Sequence, residues 1–158
     1  IYCLLEVCFD LVIQSKHSAA CLPFLNSHSV RSLVLDISDK NLAALLPEAS
    51  LQKTIEPVKK FLARDVVKSR KNEIGDWYKK AEAFAEVEKA SLLEQASARA
   101  NRFFDAETSR LQNLARHNAG VDIREVEMLH QRQIDIVGAL EEQTQLQLSA
   151  ARLIVITG

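Results

Sequence analysis

The sequence predicts an α+β fold: a small, mostly antiparallel sheet with a long antiparallel helical hairpin, in one domain spanning residues 1–158. Three observations carry that expectation. Strict alternation marks Leu5 to Ile13, where Leu5, Val7, Phe9, Leu11 and Ile13 fall on one side and Glu6, Cys8 and Asp10 between them. A second alternating run, "VRSLVLDISDKN", puts Leu33, Leu35 and Ile37 on one side, ahead of the turn residues Ser38-Asp39-Lys40-Asn41. The chain then closes on "SAARLIVITG", whose apolar and β-branched run Leu153 to Thr157 suits a pleated surface better than a solvated helix end. That tail needs strand partners, and the two early runs supply them.

Taken in order, residues 1–44 are expected to hold the two strands and a loop, "QSKHSAACLPFLNSHS", that folds back over the sheet through Leu22, Phe24 and Leu25. Leu45 to Thr54 reads as the one linker-like stretch. Helices follow over 55–151. "PVKKFLARDVVKSRK" has Pro57 where a first helical turn tolerates it, with Val58, Phe61, Leu62 and Val66 on one face. Gly75-Asp76 is positioned to interrupt or kink the helix, because Gly lowers helical propensity and Asp can cap a new start. From Trp77 to Arg116 an apolar line runs through Leu93, Ala96, Ala100, Phe103, Leu111 and Leu114. Gly120 or Asn118 is available to close that helix in the left-handed conformation. A last helix from Ile123 to Ala151, with Val126, Leu129, Ile136, Val137, Leu140 and Leu148 at helical spacing, completes the hairpin and delivers a closing strand at 152–157.

The totals limit what the chain can be. Its 158 residues carry 20 Lys+Arg against 21 Asp+Glu, the balance of a soluble globular domain. No apolar run reaches the roughly 20 residues of a membrane span, and the first apolar tract carries Glu6 and Asp10 with no basic flank before it. Cys3, Cys8 and Cys21 are odd in number and lack C-x-x-C spacing, which suits buried or half-buried thiols in a cytoplasmic setting. The opening on Ile and immediate strand-like sequence suggest a piece of a longer protein.

Chemistry-bearing motifs are scarce. Phosphate loops, G-x-S-x-G and H-E-x-x-H are absent from the sequence. Glu127 and His130 form one E-x-x-H pair, where a di-iron bundle needs two such pairs and two further Glu, so a solvated helix face is the expectation. His17, His28 and His117 are placed in loop or turn sequence. Charge carries more. Residues 51–80 hold nine basic and four acidic side chains, net +5 in a chain that totals −1. On a helix at 100° per residue, Lys60, Arg64, Lys68 and Lys71 fall within about 80° of one another. Such a stripe is either a solubilising face or a contact for nucleic-acid phosphates or an acidic protein surface. Trp77 and Tyr78, directly following, suit packing anchors or base-stacking groups.

"LLEVCFDLVIQSKH", "FLNSHSVRSLVLDISDKNLA" and "AARLIVITG" together resemble the C-terminal domain of the RapA family, bacterial RNA polymerase-associated ATPases of the SWI/SNF helicase-like group. The matching positions are Leu5-Glu6-Val7, Lys16-His17, Asn41-Leu42-Ala43 and Arg152 to Thr157; the hairpin turn "HNAGVDIR" departs from the family pattern by lacking a Pro. The resemblance implies a non-catalytic domain of a parent ATPase that binds core RNA polymerase and recycles it. ATP and Mg²⁺ would then sit in other domains of the parent, and this chain would hold no cofactor, no metal and no catalytic residue. The implied partners are the parent's other domains, core RNA polymerase and, through Lys60, Arg64, Lys68 and Lys71, nucleic acid. The reading set against it is a stand-alone nucleic-acid-binding module that uses those same four residues.

Overall fold

The computed structural model describes residues 1–157; Gly158, the last residue of the expected domain, lies outside them. The elements run β1 (Tyr2–Ile13), α1 (Ser18–Cys21), a 3-10 turn (Leu22–Phe24), β2 (Ser29–Leu35), α2 (Glu48–Thr54), α3 (Lys60–Ser69), α4 (Lys71–His117), α5 (Ile123–Glu142) and β3 (Thr144–Ile156). The three strands form one antiparallel sheet in the order β2-β1-β3, so the first and last strands of the chain are neighbours. The expected α+β class is what the chain adopts. Its contacts divide it into two compact units, the first comprising Ile1–Asp10, Ser29–Glu88 and the chain from Leu146 on, the second Leu11–His28 and Lys89–Gln145.

In the first unit β1 is the middle strand, and residues on both of its faces are covered: Cys3, Leu5, Val7 and Phe9 on one, Leu4 and Glu6 on the other. Its register with β2 pairs Leu4 with Leu35, Glu6 with Leu33 and Cys8 with Arg31. The second strand stops earlier than its alternation suggests. The Asp36 carboxylate accepts the Cys3 N–H at 2.9 Å and the Ser38 N–H donates to Leu35 O at 3.0 Å, which starts a turn and leaves Ile37 70% exposed instead of in line with Leu33. Beyond the turn Asn41 ties the chain back to β2, accepting the N–H groups of Leu33 (2.9 Å) and Ala43 (3.1 Å). The stretch expected as a linker at 45–54 contains a helix instead: Pro47 at φ −58° precedes α2, and Glu48 sits in its first turn, where the helix dipole favours an acid. The early part of α4 adds Trp77, Ala81 and Ala85 to the core, with Tyr78 against Phe9 at 6.2 Å between ring centroids.

Two expectations about the first helices are corrected. Gly75-Asp76 does not interrupt anything; α4 runs unbroken from Lys71, and the break falls at Arg70, whose φ of −113° and ψ of 20° end α3. The Arg70 guanidinium is held by Asp36 and Glu73, each at 3.4 Å, and this fixes the corner; one Gly costs a long helix only about 1 kcal/mol. The apolar face expected from Val58, Phe61, Leu62 and Val66 forms no core, for α3 buries no residue at all.

The second unit contains the hairpin of α4 and α5. Its core is Leu11, Ile13, Cys21, Leu25, Leu93, Ala96, Ala100, Phe104, Ile136, Ala139 and Leu140. Phe104 takes the place expected for Phe103, which is 51% exposed; Phe24 packs against both rings. Arg99 donates to the Phe24 carbonyl from Nε (2.8 Å) and Nη2 (2.6 Å), so the loop after β1 is fastened to α4. Gln133 joins the helices by donating to Asn101 Oδ1 at 2.9 Å. No described residue has positive φ, so neither Gly120 nor Asn118 closes α4 in the left-handed conformation. The turn is held by side chains instead: Asn118 Oδ1 accepts the Gly120 N–H at 2.9 Å, and Asp122 caps α5 by accepting the Arg124 N–H at 2.9 Å.

The largest correction concerns the chain's return. Helix α5 stops at Glu142, and residues expected to be helical up to Ala151 belong to β3. The Thr144 hydroxyl donates to Leu140 O at 2.8 Å, which helps terminate the helix, and the Gln14 N–H donates to Gln143 O at 2.8 Å where the strand pairing begins. A 12-residue β1 offers a full-length pairing edge, and that pairing overrides a helical pattern whose last apolar member, Leu148, is half exposed.

Candidate partner-binding surface

Two charged groups stand out in the first unit. One is internal. Glu6, on the middle strand, is 4% exposed and accepts charge-assisted hydrogen bonds from Arg31 Nε on β2 (2.5 Å) and Arg152 Nε on β3. Arg31 is the residue diagonal to Glu6 on the same face, within cross-strand reach, since Cys8 is its direct partner. Its Nη1 donates to Ala43 O (3.1 Å) and Leu46 O (2.7 Å), which ties the segment after β2 to the sheet. Arg31 Nη2 and Arg152 Nη2 are buried without a partner among the described residues. Removing Glu6 would leave two facing guanidinium groups unpaired, a loss of about 3–5 kcal/mol by the usual cost of breaking a buried pair. The cluster is a clamp on the three-stranded sheet.

Three of the sequence motifs therefore meet at one place. Glu6 of Leu5-Glu6-Val7 binds Arg152 and Arg31, and Arg31, which sequence reasoning did not single out, carries the link on to Ala43 of Asn41-Leu42-Ala43. The one available signal was a lone basic residue at a polar position of an alternating run, opposite a strand whose only neighbouring acids were Glu6 and Asp10. Cys8 lies on this face, half-buried, and burial first, then the charges of Glu6 and Glu48, push its thiol up. Burial likewise raises Cys3 and Cys21. All three are free thiols, held protonated and poorly nucleophilic.

The other charged group is external. Lys60, Arg64 and Lys68 all lie on α3 and are exposed, and none has an ion-pair partner among the described residues. Lys71, the fourth member of the expected stripe, is exposed too but opens α4 beyond the Arg70 corner, so it does not continue the same helix. Phe61, Leu62 and Val67 on α3 are exposed beside them.

The second unit has a shallow groove of about 560 Å³ lined by residues that include Lys16, His17, Asp135 and Glu142. His17 Nε2 is 3.8 Å from Asp135, which gives the Lys16-His17 motif a carboxylate neighbour that spacing could not reveal. Glu127 and His130 are exposed on α5, as expected of a solvated face, and no group of three metal-ligating side chains occurs among the described residues. No described helix is long and apolar enough to cross a membrane.

A three-stranded antiparallel sheet, a pair of long helices and an exposed basic helix define a chain of the α+β class. The particular family follows from comparison: the family described as RNA polymerase recycling family C-terminal matches residues 1–156, and this chain belongs to it. The chain is 30% identical over 154 residues to the RNA polymerase-associated protein RapA of Proteus mirabilis, covering 98% of this chain and 16% of that protein. It is 28% identical to the protein of that name from Photobacterium profundum, with the same coverage. The Vibrio cholerae protein is 26% identical over 153 residues, 97% of this chain and 16% of its own length. The chain thus spans about one sixth of the relatives it matches. The family resemblance carried by the sequence motifs is borne out.

Proposed function

We propose that this chain is the non-catalytic C-terminal domain of an RNA polymerase-associated, ATP-dependent helicase-like protein of the bacterial cytoplasm that assists transcription by recycling core polymerase. The observation that carries this reading is the family match across residues 1–156, joined to relatives whose names state polymerase association. The structure is consistent with the division of labour: its thiols are held protonated by burial, and its buried charges are occupied in clamping the sheet. ATP and Mg²⁺ belong to other domains of the parent, whose P-loop and acidic metal-binding motif this sequence lacks. The parent's remaining domains and core polymerase are the partners.

The test is multiple-round transcription with the full-length protein and a version lacking this domain. The expected result is ATP hydrolysis retained, with stimulation of repeated rounds and co-purification with core polymerase reduced. Unchanged stimulation and co-purification would remove the reading. A second reading, nucleic-acid contact through Lys60, Arg64, Lys68 and Lys71, is favoured by the bare cations on α3. Phosphate-driven affinity falls steeply with salt, and changing those four residues to Glu should abolish it; undetectable DNA and RNA binding at low salt would dismiss it.

A further inference from the structure

Helix α3 has ten residues and buries none of them. A helix this short is marginal in water, because nucleation is costly and stability comes from packing an amphipathic face. The pattern for such packing is present. At 100° per residue Leu62, Val66, Ala63 and Val67 share one arc and Lys60, Arg64 and Lys68 the adjoining one, with Phe61 beside Lys68. Yet Phe61 is 61% exposed, Leu62 and Val67 47% each, and Val58, just before the helix, 57%. An open apolar patch of this kind marks a covered surface or an aggregation hazard.

We propose that α3 docks, as an amphipathic helix in a groove, onto an apolar, carboxylate-rimmed surface of its own polypeptide outside residues 1–158. The inference rests on the reading that this chain is one part of a longer protein, and the relatives are about six times as long. Charge complementarity sets the rim: three cations without an ion-pair partner among the described residues border the apolar arc, and Asp65 is the only acid on the helix. The apolar residues select protein over nucleic acid, since phosphate contacts require none of them. Covalent linkage selects the same chain over a separate partner, because it supplies an effective concentration on the order of millimolar and keeps the patch covered whenever other partners are absent.

The test uses the full-length protein with Leu62, on the apolar arc, replaced by the photo-cross-linker p-benzoylphenylalanine, irradiated alone. The expected product keeps the monomer's mass and joins position 62 to a segment of the same chain rich in Asp or Glu and apolar residues. It is unchanged when core polymerase, duplex DNA or phosphatidylglycerol vesicles are added. A product of doubled mass, one that forms only with an added partner, or no intramolecular product overturns the proposal. The second readout is hydrogen exchange in the free full-length chain. The exposed-site variant Leu62→Asp/Val67→Asp should speed exchange across 60–69 by roughly tenfold or more if it opens a docked helix, and unchanged exchange overturns the proposal. Both measurements are made without polymerase, so a failed polymerase association leaves this inference standing and a failed docking leaves that reading standing.

Discussion

Helix α5 buries Ile136, Ala139 and Leu140, while α3, patterned in apolar and polar residues just as clearly, buries nothing. Both were legible as amphipathic helices from spacing alone. What separates them is supply of a partner within the chain. Residues of α5 face the core of the second unit, with Leu93, Ala96, Ala100 and Phe104 of α4 and the loop after β1 in the same core. Helix α3 ends at a corner fixed by Arg70 and Asp36, and nothing in the described chain covers its apolar arc. Amphipathic spacing thus announces that a face will be covered without naming what covers it.

Truncation should break the symmetry of the two helices most sharply. In residues 1–158 taken alone, Leu140→Ala should destabilise the fold by about 2–5 kcal/mol, whereas Leu62→Ala should stay within about 0.5 kcal/mol, both read by chemical denaturation. Comparable losses at both sites would mean that α3 is already packed. A smaller effect of opposite sign is expected at Gly75. Its position in α4 is helical and an added Cβ would meet nothing within 4 Å, so Gly75→Ala should raise stability by about 0.5–1 kcal/mol.

The cap of α5 offers a pH test. The backbone N–H of Arg124, then its side chain, holds the Asp122 carboxyl below its usual value. A depressed folded value means stabilisation that is present above the unfolded aspartate's range and lost as pH falls below about 4 through the folded value. Asp122→Ala should therefore lower Tm at neutral pH, with the gap to the parent sequence closing on acidification. Helix α3 has no capping side chain, so no such pH-dependent gap should arise from its N-terminus. Smallest of all, Lys60→Glu/Arg64→Glu/Lys68→Glu in residues 1–158 taken alone should leave Tm nearly unchanged, because these side chains make no ion pair among the described residues.

The parts of the fold that were plain beforehand are those set by local alternation or by composition. Leu5 to Ile13 had to be a strand, and the Ala/Glu-rich stretch after Trp77 had to be helix. Boundaries were another matter. The run Gln145-Leu146-Gln147-Leu148 alternates with period two while Leu148 also falls at helical spacing from Leu140, and the place beside β1 made it strand. Phe103 and Phe104 are adjacent on the helix and both touch Phe24, so the helix's rotation decided which one would be buried. At the candidate surface Lys60, Arg64 and Lys68 lie on one helix as spacing indicated. The Arg70 corner separated Lys71 from them through an ion pair to Asp36, 34 residues earlier, which no helical wheel contains.

By itself the sequence determined the strand-helix-strand order, the basic character of residues 59–71 and the membership of the family, because these depend on residue type and near-neighbour spacing. Tertiary structure alone decided that Glu6, Arg31 and Arg152 would share one buried clamp and that α3 would be left uncovered. The physical reason is one of range. Pairing register and face coverage bring together groups more than a hundred residues apart, and their energies exist only once the sheet has closed.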